Sequence, residues 1–341
     1  MNPHDLLGRP LGTLRLSVTD RCNFRCVYCL PPRGNHPLGN ESPDFSAPEQ
    51  VLTDEEILRL AGIFAGLGAA RVRVTGGEPL LRPGVSRLVA GLTALPGVEE
   101  VALTTNGWHL AAQAQALKQA GLKRVTVSLD SLDPKVFARM NGGRGHPERV
   151  VEGIHQALAQ GLTPLKINTV VQRGVNDHGL EDLAQFARET GAVLRLIEYM
   201  DAGTLHPWNA EQVVPSAEIR ARLARRFGLE PLETEPGMGG VASRYRYGDG
   251  KGEVGFISSI TQPFCAGCTR ARLSAAGVFY TCLFAREGLN LREPLRQGAS
   301  NQDLARLIAS QWTSRSDRYS EQRGLHPPAS GRRVSMHQVG G

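Results

Sequence analysis

Six cysteines stand in this 341-residue chain, three near one end and three near the other. The first trio, Cys22, Cys26 and Cys29, lies in the run Cys22-Asn23-Phe24-Arg25-Cys26-Val27-Tyr28-Cys29. The second is Cys265, Cys268 and Cys282. In a reducing compartment such clusters bind metal before they pair as disulfides, and pairing would leave one cysteine of each trio over. Three thiolates fill three corners of a four-iron cubane and leave one iron open to an outside ligand. A histidine as fourth ligand would instead give a Cys3His zinc site, with His36 the candidate early and His326 or His337 late. The first spacing, C-x3-C-x2-C, is not the paired C-x2-C of zinc ribbons.

Other polar groups gather near both trios. A turn at Ala275-Ala276-Gly277 folds the late segment into a hairpin that returns Cys282 toward Cys268. Arg270 and Arg272 have the two-residue period of a strand, so both point to one face. Two guanidinium groups beside a metal cluster make a seat for a polyphosphate. Thr75-Gly76-Gly77-Glu78-Pro79 ends a predicted strand, and its glycine pair permits close backbone approach to a ligand or a tight βα turn.

These residues need a scaffold. Strands are predicted over 14–18, 72–75, 101–105, 124–129, 165–171 and 194–199, and helices over 53–67, 85–95, 110–120, 147–160 and 180–190. Thr53 and Glu56 form a capping box. Gly68, Gly121, Gly161 and Gly191 stand where helices should stop. Alternation of this kind specifies βα units and a parallel sheet, either open or curled into an incomplete barrel. The stretch 33–50 is rich in Pro, Asn, Gly and Ser and reads as a loop. After residue 200 the pattern changes to a helix over 216–227, short antiparallel strands over 241–247, 253–257, 271–274 and 278–281, and a helix over 303–310. The division is therefore 1–212 and 213–341. The end, Val339-Gly340-Gly341, follows an arginine-rich stretch and reads as a frayed terminus.

Composition limits the rest. Apolar residues make up 41% and charged residues 21%, which excludes disorder and fibrous repeats. No apolar run reaches the ~18 residues of a membrane span, and no signal peptide is apparent, so a cytoplasmic protein is expected. The net charge of +6 suits an anionic partner such as a nucleotide. Aromatics at 6% are too few for a single-strand stacking platform.

The C-x3-C-x-aromatic-C run after a first strand resembles the signature of radical S-adenosylmethionine (SAM) enzymes. That resemblance implies that SAM chelates the open iron, that Tyr28 lies against it, and that Gly77 and Glu78 receive its amino group. The later run C-x2-C-T-R-A-R-L, with a cysteine 14 residues on, is narrower and resembles the GTP 3′,8-cyclase family. So do L-R-L-S-V-T-D-R-C-N-F-R-C at 14–26, R-V-T-G-G-E-P-L at 73–80, L-T-T-N-G at 103–107, V-S-L-D at 127–130, R-L-I-E-Y-M-D at 195–201 and the Gly-Gly end. Leu30 departs from the pattern, where Met is frequent.

The likeness implies an incomplete (βα)6 barrel closed by a C-terminal α+β region with a second 4Fe–4S cluster. It assigns Ser128 and Met200 to SAM, and Arg15, Arg73, Thr104, Lys166, Arg270, Ala271 and Arg272 to GTP. It implies two 4Fe–4S clusters, on Cys22/Cys26/Cys29 and Cys265/Cys268/Cys282, and a Gly-Gly tail inserted toward the site. The implied reaction abstracts the ribose 3′ hydrogen of GTP with a radical from SAM and joins the 3′ carbon to C8. The partners are GTP, SAM and a flavodoxin- or ferredoxin-like electron donor, with no nucleic acid or membrane, and a homodimer is an admissible assembly. No side chain is assigned as a general base, and Arg195 has no assigned role. The rival readings are a radical SAM enzyme acting on a peptide, which would not need Arg270 and Arg272, and a zinc-stabilised nucleic-acid-binding module.

Overall fold

The computed structural model describes residues 2–30, 45–202, 208–233, 240–323 and 333–340. Six strands lead: β1 (Thr13–Ser17), β2 (Arg71–Thr75), β3 (Glu100–Thr105), β4 (Arg124–Ser128), β5 (Lys166–Val171) and β6 (Val193–Glu198). They lie in that order and are parallel throughout. Along each strand one residue set is fully buried and the alternate set is polar or half-buried, except at the buried Ala102 of β3. Leu14, Leu16, Val72, Val74, Val125, Ile167 and Leu194 are at most 2% exposed and form one apolar core with the helices. Full burial of such side chains contributes roughly 1.5–3 kcal/mol each. The other face carries Arg15, Arg73, Thr104, Lys166 and Arg195.

That polar face is curled. Arg15 of β1 and Arg195 of β6 lie at opposite ends of the six-strand run, yet they interact electrostatically, and so do Arg73 and Arg195. A flat sheet would hold β1 and β6 roughly 24 Å apart at its ~4.8 Å strand spacing. The helices sit outside the curl. Thr53 and Glu56 make the predicted capping box on the helix Asp54–Gly66. The four glycines predicted to stop helices all take left-handed φ, from +68° to +106°.

The late strands differ from their sequence reading. They are β7 (Leu229–Pro231), β8 (Ser243–Tyr247), β9 (Glu253–Ile257), β10 (Arg270–Leu273), β11 (Val278–Tyr280) and β12 (Leu289–Asn290). Neighbours β8–β9 and β10–β11 are antiparallel as expected. However, β9 adds to β6 and β10 adds to β1, both in parallel. The result is one 12-stranded sheet. The reason lies in the edges: β1 and β6 would each present unpaired backbone groups, and the late strands cap them.

Because β9 and β10 run in the same direction, the segment 258–269 returns the length of the sheet, from the C-terminal end of β9 to the start of β10. The terminal segment is also not frayed. Val334, Ser335, His337 and Val339 are buried, with Met336–Val339 forming a single helical turn packed near β1. Gly341, most of the 33–50 loop, and His36 and His326 fall outside the described residues.

Candidate active site

Cys22, Cys26 and Cys29 stand on the loop that leaves the C-terminal end of β1. The loop is fixed largely through its backbone. Arg25 N donates to Asn141 O (2.9 Å) and Val27 N to Met140 O (3.0 Å). Phe24 meets Trp108 and Phe137 edge-on at 6.0 and 5.9 Å. The glycine pair has a steric cause: a Cβ on Gly76 would lie 2.2 Å from Thr19 O, and one on Gly77 2.2 Å from Arg21 O. In that close contact Gly77 N donates to Thr19 O (2.7 Å) and Glu78 N to Arg21 O (2.8 Å). The Glu78 carboxylate is buried and accepts from Leu80 N, Thr105 Oγ1 and Asn106 N. Burial pushes its pKa up to about 7. Tyr28 donates its hydroxyl to Asp130 Oδ2 (2.8 Å).

The three thiols are close enough to perturb one another. Burial, then Glu78, raises Cys22 to about 11; burial, then Cys22, raises Cys29 to about 12. Burial, then Asp130, then the other two cysteines raise Cys26 well above its ordinary value. Sulfurs in this setting ionise only with cationic metal between them, which is the environment an iron–sulfur cluster fits. Among the described residues, no three His, Cys, Asp or Glu side chains gather tightly enough for a single metal ion.

The second trio lies at the other end of the sheet. Glu198, at the exit of β6, accepts from Ile260 N and Thr261 N (both 2.8 Å) and fixes the start of the returning segment. Gly12 N and Thr13 N both donate to Thr269 O (3.0 Å) and fix its end. Between them, Arg9 donates to Cys265 O (2.8 Å) and Arg315 to Cys268 O (2.7 Å). Asp5 bridges these two buried arginines, at 2.6 and 3.3 Å. Cys282 follows β11 and interacts electrostatically with Cys268. Arg270 donates Nε and Nη2 to Cys268 Sγ, at 3.2 and 3.1 Å. Burial opposes ionisation of Cys268, yet Arg270 and Arg315 bring its pKa down to about 6. Burial and Asp317 push Cys282 up to about 11.

A belt of cations separates the trios. Arg272, Arg15 and Arg73 stand side by side on β10, β1 and β2. Burial and the neighbouring arginines depress each of them: Arg15 well below its ordinary value, Arg272 to about 10. Burial, then Arg124, takes Arg73 to about 10. Burial, then Arg73, takes Arg195 to about 9, and burial, then Arg195, takes Lys166 to about 8. Crowded cations of this kind favour an anionic ligand with several charges. Their bonds to the protein include neutral oxygens. Arg73 donates to Thr104 Oγ1 (3.3 Å) and Thr126 Oγ1 (3.2 Å), and Arg195 to Asn168 Oδ1 (3.0 Å). Ser128 ends β4 beside Asn168, and Met200 follows β6. Ala271 departs from the group: its methyl turns into the apolar core.

The terminal segment reaches this belt. Arg272 donates to Val339 O (3.2 Å) and to Gly340 O. Gly340 takes φ +67°, and a Cβ there would lie 2.2 Å from Thr75 Cγ2, so no larger residue fits. His337 stands edge-on to Phe45 at 5.7 Å. Thr126, Asn168 and Arg195 were not assigned from sequence. The two-residue period that selects Ser128 and Lys166 also selects Thr126 and Asn168.

Comparisons with known proteins place the chain in a family. The radical SAM superfamily model matches residues 16–187, and the molybdenum cofactor synthesis C model matches 192–321. The GTP 3′,8-cyclase of Acidothermus cellulolyticus is 49% identical over 96% of this chain and 90% of that protein. That of Xanthomonas axonopodis pv. citri is 47% identical over 99% and 98%. Among solved structures, SuiB of Streptococcus suis shares the fold at TM-score 0.54 and 15% identity, over 90% of this chain and 67% of that one. By sequence likeness over nearly its whole length, the chain belongs to the GTP 3′,8-cyclase family of radical SAM enzymes.

Proposed function

We propose that the chain converts GTP to (8S)-3′,8-cyclo-7,8-dihydroguanosine 5′-triphosphate, the opening step of molybdenum-cofactor biosynthesis. The observation that carries this reading is the cation belt between two cysteine trios. Arg15, Arg73, Lys166, Arg270 and Arg272 would hold the triphosphate, and Thr104 would position the nucleotide beside them. From Thr13 to Ser17 the sheet rises roughly 13 Å, a span that a nucleoside triphosphate can bridge.

Cys22, Cys26 and Cys29 would hold the iron–sulfur cluster that cleaves SAM; when bound, that pair supplies the hydrogen-abstracting radical. Gly77, Ser128, Met200 and Tyr28 would orient SAM. Cys265, Cys268 and Cys282 would hold a second cluster, toward which the guanine is directed. The chain's own work is then orientation, charge neutralisation and exclusion of water. Reduction needs an external one-electron donor of flavodoxin or ferredoxin type.

The test is anaerobic incubation of reconstituted protein with SAM, reductant and GTP. Formation of 5′-deoxyadenosine with matching GTP loss and cyclised product supports the reading. Uncoupled SAM cleavage, unaffected by GTP, overturns it.

A further inference from the structure

Asp201 follows Met200 just beyond β6 and is the meeting point of two other segments, 319–323 and the one that begins at Arg333. One carboxylate oxygen accepts from Arg323 Nε (3.0 Å). The other accepts from the Tyr319 hydroxyl and from Arg333 Nη1 (3.2 Å). The same Arg333 nitrogen donates to the Asp201 backbone carbonyl (3.1 Å). The charged side chains are mostly buried, at 14–15% exposure. Aromatic rings brace them: Phe284 stacks on Tyr319 at 4.4 Å, and Arg333 lies 4.4 Å over the Tyr319 ring. One carboxylate thus holds Arg323 and Arg333, the described residues on either side of positions 324–332.

Arg333 begins the segment that ends at the cation belt. Val334 N donates to Ala285 O (3.0 Å), three residues past Cys282. Ser335 and Gln338 close a capping box on the single turn. Val339 and Gly340 then present their carbonyls to Arg272. One helical turn is far below the length that is stable alone in water. A second anchor at the segment's entry raises the effective concentration of its far end at Arg272.

We propose that Asp201 is a positioning residue: through Arg333 it sets where the C-terminal segment enters the barrel, and so where Val339 and Gly340 meet Arg272. Asp201 itself touches neither trio of cysteines. The activity consequence rests on the GTP reading above, whereas the placement consequence does not.

The experiment compares backbone amide exchange of the full-length chain with that of Asp201→Asn and Arg333→Gln. Amides of 334–340 are expected to exchange at least about tenfold faster in both variants, with β1 and β2 unchanged. For 334–340 the double variant should be no worse than Asp201→Asn alone, because both changes break the same Asp201–Arg333 contact. Arg333→Lys should restore part of the protection. In the reconstituted enzyme GTP turnover should fall, while SAM cleavage without GTP stays as in the parent. Unchanged exchange of 334–340 in both single variants would overturn the proposal, and so would an equal rise in β1 and β2, which would mark a general stability role. Lost tail protection in an enzyme whose parent form consumes no GTP would leave this proposal standing and remove the GTP reading.

Discussion

The cysteine trios at the two ends of the sheet are held by different means. The first sits on a loop clamped by close backbone contact, Gly76 and Gly77 against Thr19 and Arg21, and its Cys22 sulfur meets the neutral amides of Phe24 and Asn106. Two of the second, Cys265 and Cys268, sit on a returning segment tied by buried charge, Asp5 with Arg9 and Arg315, and the Cys268 sulfur meets a guanidinium. The carboxylates Glu78 and Asp130 near the first trio oppose negative charge on its sulfurs, while Arg270 and Arg315 favour it on Cys268 of the second. On the proposed reading, charge and hydrogen bonds to sulfur would raise the reduction potential at the second trio, so the more strongly reducing centre would be the first.

Removing sulfurs separates the two ends most sharply. Cys29→Ala should lower 5′-deoxyadenosine formation by at least about a thousandfold, measured by chromatography under reducing conditions. Cys282→Ala should keep SAM cleavage and lose GTP consumption, with iron falling to about four per chain. If both variants lose SAM cleavage equally, the two ends do not have distinct roles.

The glycines sharpen the same contrast. Gly77→Ala forces a 2.2 Å contact with backbone and should destabilise the fold by about 2–4 kcal/mol, seen in thermal unfolding with reduced iron loading. Gly267, between Cys265 and Cys268, has open space where a Cβ would stand, so Gly267→Ala should change stability by less than about 0.5 kcal/mol. Equal losses would mean the second loop is as tightly clamped as the first.

The belt between the sites gives a smaller effect. Arg15→Ala should raise the apparent GTP KM by about ten- to a hundredfold and leave SAM cleavage without GTP unchanged. A KM within twofold of the parent would remove Arg15 from the phosphate site.

Smallest is the pH response of Lys166, whose pKa is lowered to about 8 by burial and then by Arg195. The protonated amine attracts phosphate, so GTP affinity should be greatest below pH 8 and weaken above it. The stability sign is opposite. Between about pH 8 and the usual lysine value near 10.5, the unfolded chain holds more protons, so this group makes the ligand-free protein more stable as pH rises. Lys166→Arg should flatten the affinity change near pH 8. An unchanged profile would place that titration elsewhere.

Much of the site was legible because ligand spacing is local. The C-x3-C-x2-C run, the Gly-Gly-Glu turn and the Arg270/Arg272 pair each show their chemistry within a few residues. Thr126, Asn168 and Arg195 were harder to single out: each is an ordinary strand residue until the sheet curls and points it at the belt. Asp201 was less visible still, since its partners are more than a hundred positions away. The frayed-end reading of the terminus failed for the same reason. Its one helical turn is met by groups far along the chain, Ala285 at its entry and Arg272 at its end.

The order of the six strands, the capped helices and the two cysteine trios follow from the amino-acid order, since period, caps and short motifs act over a few residues. Tertiary structure decided that the late strands complete both edges of the first sheet, that the two thiol sets face one belt of cations from opposite ends, and that the segment 334–340 packs beside it. Those outcomes depend on unpaired sheet edges and concentrated charge finding partners far along the chain, which no local pattern encodes.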